Sequence, residues 1–304
     1  MFGSIVEITQ EGRHIAVHKG LLVIKDGSNE CGRVPLDTVE AVILTAKQTT
    51  LSRPVMAALA QHNVLIVVCD NKFMPVSITA PYAVHFEAGK RMRAQAKAAA
   101  PLCKRIWKNI IQEKLRNQAQ VLRYHQRQCP TVGKIELLAK AVRSGDTTNK
   151  EGQSARLYWR ALIGPSFIRD PEREDCNILF NYAYTVLRTA VARSLLGAGL
   201  HPALSVYHSH RLNAFALADD AMEPLRPLAD HLVLLTMRST PSQSLSPEVK
   251  RSLAALLIQE VLFEKTTTPL YQALHHMAQS LAQTYLGGKI CIKFPQLMLP
   301  EVTY

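Results

Sequence analysis

The feature that most constrains the fold is a change of hydrophobic period near residue 80. Before it, short β-branched or alternating runs recur at Ser4 to Thr9, His14 to His18 and Leu21 to Lys25, punctuated by Asp26-Gly27 and Cys31-Gly32. This is the period-two pattern of strands. Val39 to Thr45 and Val64 to Cys69 are nearly unbroken apolar runs, as fully buried strands require. Between them Ser52-Arg53-Pro54 opens a helix that Asn63 ends, with Val55, Ala58 and Leu59 on its apolar face. Strand, helix and strand make one β-α-β unit added to a β-meander. After Pro75 and Pro81 the pattern becomes that of amphipathic helix, from Val84 almost to the end. The two patterns predict an α+β chain: a small β-rich domain over 1–80, a linker over 81–86 and a larger all-α domain over 87–304.

Within the second part, Glu87 to Ala100 and Leu102 to Gln128 read as helices rich in Lys and Arg, against only Glu87 and Glu113. Such an imbalance of sign cannot be absorbed by pairing along the helix. A phosphate-facing surface of Lys90, Arg91, Arg93, Lys97, Lys104, Arg105 and Lys108 is the expectation, with Lys114, Arg116, Arg123 and Arg127 continuing the run. The whole 304-residue chain carries a formal net charge of +12, which also points to a polyanionic partner. Trp107 and Tyr124 are expected as core anchors, and Asn177 to Leu196 as the central buried helix. Glu248 to Phe263 and Pro269 to Tyr285 read as further helices, and Ile290 to Phe294 as a final extended segment.

Other classes are disfavoured. No apolar run reaches the roughly 20 residues that span a bilayer. No basic start followed by an apolar core marks a secretory leader. Six scattered cysteines without a C-x-x-C pair fit a reducing compartment, so a cytoplasmic protein is expected. No glycine-rich loop offers a nucleotide cradle.

The chemistry-bearing residues lie in three segments. Ser144 to Glu151 brings a carboxylate, Glu151, into the first turn of a helix that Asn149 caps; alone, Glu151 reads first as a complement to the helix dipole. Leu200 to Asn213 is a loop holding His201, His208 and His210. Asp219 to Asp230 reads D-D-A-M-E-P-L-R-P-L-A-D, with Asp220 and Glu223 three residues apart where a helix running to Met237 begins. That spacing is also a capping box. If the fold gathers these segments, two carboxylates and an imidazole meet around a divalent cation, with the helix starts at Glu151 and Glu223 aiming N–H dipoles at the same anionic centre.

The stretch S-G-D-T-T-N-K-E-G-x-x-A-x-x-Y from Ser144 to Tyr158, His208 in L-S-V-Y-H with Asn213 beyond it, and D-D-A-M-E-P-L-R-P from Asp219 to Pro227 together resemble the CRISPR-associated spacer integrase family. The resemblance covers nearly the whole chain, and the last segment is most similar to integrases of type II systems. It implies a metal-dependent DNA integrase that joins 3′-OH ends of a foreign DNA fragment into a CRISPR repeat, with DNA endonuclease activity as well. Motif by motif it implies catalytic residues Glu151, His208, Glu223 and Asp220, with Glu151, His208 and Glu223 as ligands of Mg²⁺ or Mn²⁺. Between Asp220 and Glu223 the choice of direct ligand stays open, the M-E-P position favouring Glu223. The implied partners are DNA and CRISPR-associated protein two, with homodimers formed through the β domain and two dimers per integration complex. Two other readings of the same residues stand beside it: a stand-alone structure-selective metallonuclease, and a non-catalytic nucleic-acid scaffold whose carboxylates only cap helices.

Overall fold

The computed structural model describes residues 4–71, 73, 75–81, 85–126, 128–208, 212–240 and 244–299. Arg127 and His210 lie outside them. The chain divides into two compact units, 1–86 and 87–304.

The N-terminal unit holds two four-stranded sheets. One is ordered β1 (Ser4–Ile8), β5 (Val39–Leu44), β7 (Leu65–Cys69) and β8 (Pro75–Thr79). β5 is parallel to β1 and to β7, so it is flanked by partners on both edges and its apolar run is buried. Parallel neighbours need a crossover, and α1 (Arg53–Gln61) supplies it between β5 and β7. Pro75, read from sequence as a boundary mark, instead opens β8; an edge strand tolerates the missing N–H there. The other sheet is ordered β4 (Asn29–Pro35), β3 (Leu21–Asp26), β2 (Arg13–His18) and β6 (Thr49–Leu51). Cys31-Gly32 does not interrupt β4; a register shift opposite Ile24 and Lys25 absorbs the irregularity. Ile8, Ile15, Leu22, Leu36, Val42 and Leu59 form the core of this unit.

The C-terminal unit is built from α2 (Ala88–Ala96), α3 (Ala100–His125), α4 (Thr131–Ala141), α5 (Lys150–Leu162), α6 (Asn177–Gly197), α7 (Ala216–Met222), α8 (Arg226–Ser239), α9 (Pro247–Ala254) and α10 (Leu270–Gly287). α6 is buried around most of its circumference, as an axial helix must be. The unit also carries a small antiparallel sheet, β10 (Thr266–Pro269), β9 (Glu260–Phe263) and β11 (Gln296–Leu297). The single helix expected over Glu248 to Phe263 therefore ends at Ala254, and a 3₁₀ turn leads into β9. Val261 and Phe263 are buried on alternate positions, so the last four residues follow a strand period that is too short to separate from helix by pattern.

Candidate functional site

α3 is the strut of the site. At 26 residues it is about 39 Å long, and one of its faces interrupts an apolar stripe with polar groups. Trp107, Lys114, Asn117 and Gln118 are all buried there. Their spacing of seven, then three or four residues keeps them on one side of the helix.

Lys114 reaches furthest into the chemistry. Its Nζ stands 2.6 Å from Glu151 Oε1 and 2.5 Å from Glu223 Oε2. Glu223 in turn lies 3.1 Å from Arg226 Nε through its other oxygen. Burial would raise the Glu223 carboxyl, but the Arg226 and Lys114 cations outweigh it and hold the group below the ordinary range. For Lys114 burial would lower the ammonium, and the Glu223 and Glu151 charges reverse that. The buried Glu223 Oε2 has the Lys114 ammonium as its close partner.

Glu151 is delivered by the start of α5. Asn149, in the left-handed region at φ 50°, caps this helix by accepting from Gly152 N–H at 2.9 Å. Asp146 accepts from the N–H groups of Lys150 and Glu151 at 2.8 and 3.0 Å. These caps consume the free amides, so the helix mouth does not aim unpaired N–H dipoles at the acidic centre as the sequence led us to expect.

Glu223 and Asp220 belong to one broken helix. α7 ends at Met222, a 3₁₀ turn covers Glu223–Leu225, and α8 begins at Arg226. Pro224 has no N–H and its ring crowds the preceding turn, and Pro227 suits the first turn of α8. Asn117 pins the break by donating to the Pro224 carbonyl at 2.7 Å. The capping-box reading of Asp220 and Glu223 is therefore corrected: α7 is already formed before Asp220, so no free N-terminal amides await it. Fully buried Asp220 instead accepts from Val206 and Tyr207 N–H at 2.7 and 2.8 Å and holds His208 Nδ1 at 2.6 Å.

That contact fixes the imidazole. With its proton on Nδ1 facing Asp220, His208 keeps the Nε2 lone pair for another partner. The Asp220 hydrogen bond lifts the imidazolium above the usual histidine range against burial, and the charges of Asp220, Glu223 and Glu151 add to it. Tyr207, stacked on buried Trp107 at 4.5 Å and 3°, steadies the loop just before His208. Trp107 meets the His208 ring edge-on at 5.1 Å.

Glu151, Glu223, Asp220 and His208 thus come into one neighbourhood. Among the described residues no three His, Cys, Asp or Glu side chains are arranged to hold a metal ion as they stand, and Lys114 is the group between the carboxylates. The donor chemistry fits a hard divalent cation: two carboxylates that already share one cation, and an imidazole oriented by a carboxylate behind it. His201 is placed apart, its backbone carbonyl and N–H engaging Gln95 of α2.

The basic face is only partly as expected. Lys90, Arg93, Lys97, Lys104 and Arg105 are exposed and Lys108 is half-buried. Arg91 is turned inward, donating to the Ala198 carbonyl at 2.9 Å and to Gln279 at 2.7 Å. It is a strut between α2 and α10, and leaves the phosphate-facing set. Lys114 leaves the run as well, for the acidic centre. Its position on the Trp107 face of α3, between buried Ile111 and Leu115, was the signal in the sequence that set it apart from the exposed lysines.

The helical unit therefore carries both a paired-carboxylate and histidine centre and exposed cations on and beside α2 and α3, the features that lead the sequence reading to expect a class of protein directed at a polyanion. The comparisons make the class specific. The family described as CRISPR associated protein Cas1 matches residues 6–246. A CRISPR-associated endonuclease Cas1 from Neisseria meningitidis serogroup C is 34% identical over 296 residues, covering 97% of this chain and 95% of that one. The chain belongs to the Cas1 family. Among solved structures, a casposase bound to an integration product superposes with a TM-score of 0.83 at 19% identity over 100% of this chain and 96% of that one. A chain of a Cas6-RT-Cas1–Cas2 complex gives 0.78 at 20% identity, over 97% of this chain and 36% of that one. At such identities these structures establish the fold alone.

Proposed function

We propose that this chain is a DNA integrase and endonuclease of CRISPR adaptation, which exchanges one phosphodiester for another by attack of a DNA 3′-OH. The observation that carries the proposal is the convergence of Glu151, Glu223 and the Asp220-anchored His208. The family membership and the integration-product and Cas2 complexes among its structural neighbours support it. Glu151, Glu223 and His208 would hold Mg²⁺ or Mn²⁺, and Asp220 acts behind His208 as its orienting partner. When bound, such an ion supplies charge neutralisation at the reacting phosphate.

The chain's own residues do the rest. Asp220 keeps the His208 ring in one tautomer and orientation. Asn117 and Pro224 fix the turn that presents Glu223. The exposed Arg93, Lys97, Lys104 and Arg105 bind the backbone of the nucleic acid. No enzyme nucleophile is needed, because the attacking group belongs to the DNA; the same site attacked by water cuts it.

The proposed assembly is a homodimer through the N-terminal unit, with CRISPR-associated protein two joining two dimers, in the cytoplasm. Dimeric sedimentation of a chain of residues 87–304 would remove the first element of that assembly. The type II assignment rests on the wording of the Asp219 to Pro227 segment alone.

The test is a branched DNA that mimics a half-integrated fragment, with Mn²⁺ or with chelator. Glu151→Ala, His208→Ala and Glu223→Ala should each lower resealing of the target strand by two orders of magnitude or more, with DNA affinity kept within about threefold. Cleavage without resealing would favour the stand-alone nuclease, and binding with neither reaction the scaffold.

A further inference from the structure

Lys114 is a buried ammonium in a face of α3 that is otherwise apolar or neutral, 9% exposed, with Ile111 and Leu115 beside it. A buried ammonium persists only where opposite charge offsets the loss of water. Here the offset is specific: one nitrogen sits within 2.6 Å of Glu151 Oε1 and 2.5 Å of Glu223 Oε2, two residues brought from separate helical segments. With Arg226 at 3.1 Å from the other Glu223 oxygen, these two carboxylates already face two cations of the chain. A divalent cation on the same carboxylates would stand against both.

We infer that Lys114 is an internal counter-ion, standing between Glu151 and Glu223 where a divalent metal ion would bind and competing with that ion for the same oxygens. This rests on the metal-site reading given above. Two consequences follow from this pairing. Without metal, Lys114 keeps two carboxylates from repelling each other in a poorly solvated site, and so holds α3, α5 and the turn before α8 together. With metal, the ammonium must give up the carboxylates, so affinity is weaker than the donor set alone would provide.

The experiment uses the full chain stripped of metal, and Mn²⁺ itself as probe. Binding is followed by loss of the free-ion electron paramagnetic resonance signal, and thermal unfolding is recorded without metal. Lys114→Met and Lys114→Gln should bind Mn²⁺ tighter by about tenfold or more, because like charges a few ångströms apart repel appreciably even at an effective dielectric of about 20. Both should melt lower than wild type when metal-free, and regain the loss as Mn²⁺ is added. Lys114→Arg keeps the charge and should stay within about threefold of wild-type affinity. The glutamine variant carries the test if the methionine variant does not fold. A Glu223→Gln control separates the counter-ion role from the metal site itself. Wild-type binding abolished by Glu223→Gln, but unchanged or weakened in Lys114→Met and Lys114→Gln, overturns the counter-ion role and leaves the metal site standing. No Mn²⁺ binding by wild type or by any variant removes the metal-site reading and this inference with it.

Discussion

Asp230 sits at the centre of the C-terminal unit between two phenols. Its carboxylate is enclosed, accepting from Tyr184 Oη at 2.5 Å and from Tyr158 Oη at 3.0 Å. Burial pushes its pKa up to about 7, against the two hydroxyl donors and the nearby Arg169 and Arg226. The folded chain therefore binds a proton that the unfolded chain has already released between the ordinary aspartate range and pH 7. Stability is greatest below that window, falls as pH rises through it and levels off above pH 7. Asp230→Asn lacks this proton and should show a flatter stability–pH profile. Urea midpoints at pH 5 and pH 8 measure it: the variant should gain on wild type by a few kcal/mol between the two. Parallel profiles would place the proton elsewhere. At this scale the sequence yielded the identities of the reactive groups and not their partners. Asp220 and Glu223 were legible as a pair, yet only the fold shows Asp220 gripping the His208 loop while Glu223 faces Lys114.

Among the elements, α5 depends on its first turn. A Cβ on Gly152 would lie 2.7 Å from Asn149 Oδ1, closer than real contacts allow, and that oxygen is the cap of the helix. Gly152→Ala therefore gains helix propensity but expels the cap, and the two effects are of similar size, near 1 kcal/mol each. The change should be neutral or destabilising in the natural chain. In an Asn149→Gly background, which keeps the left-handed backbone accessible and removes the cap, the same change should stabilise by about 0.5–1 kcal/mol. A double-mutant cycle by chemical denaturation reads that reversal of sign; stabilisation in both backgrounds would deny the cap its role. The helices themselves were legible because their apolar period is long and regular, and Asn149 was legible as a cap. The start of the helix near Asp220 was misread because Asp-x-x-Glu satisfies a capping box as well as it does a pair inside an existing helix. Pro224 marks a break, but a proline alone does not say whether a helix precedes it. The three-stranded sheet escaped for a related reason: four residues of β9 are too few for a period.

At the scale of the whole molecule, a net charge of +12 acts through the ionic atmosphere of its partner. Reversing Arg93, Lys97, Lys104 and Arg105 to Glu should flatten the plot of log affinity for duplex DNA against log salt by about 0.9 for each phosphate that is no longer neutralised. Fluorescence anisotropy across a salt series measures the slope, and an unchanged slope would move the footprint to another face. Arg91 is absent from that set because its guanidinium is spent inside the C-terminal unit. The sequence by itself determined the division into a β-rich and a helical part, the basic character of the chain, and the motifs that mark its family. Those properties are carried by local period, composition and short spacings, which survive without any long-range contact. Tertiary structure alone decided which cations face solvent and which face the acidic centre, and which carboxylate grips the histidine. Arg91 and Lys90 are neighbours in sequence with opposite fates, and Lys114 meets Glu151 across 37 residues. The direction of a charged side chain follows from the face of its helix that packs, and that face is settled by residues far away along the chain.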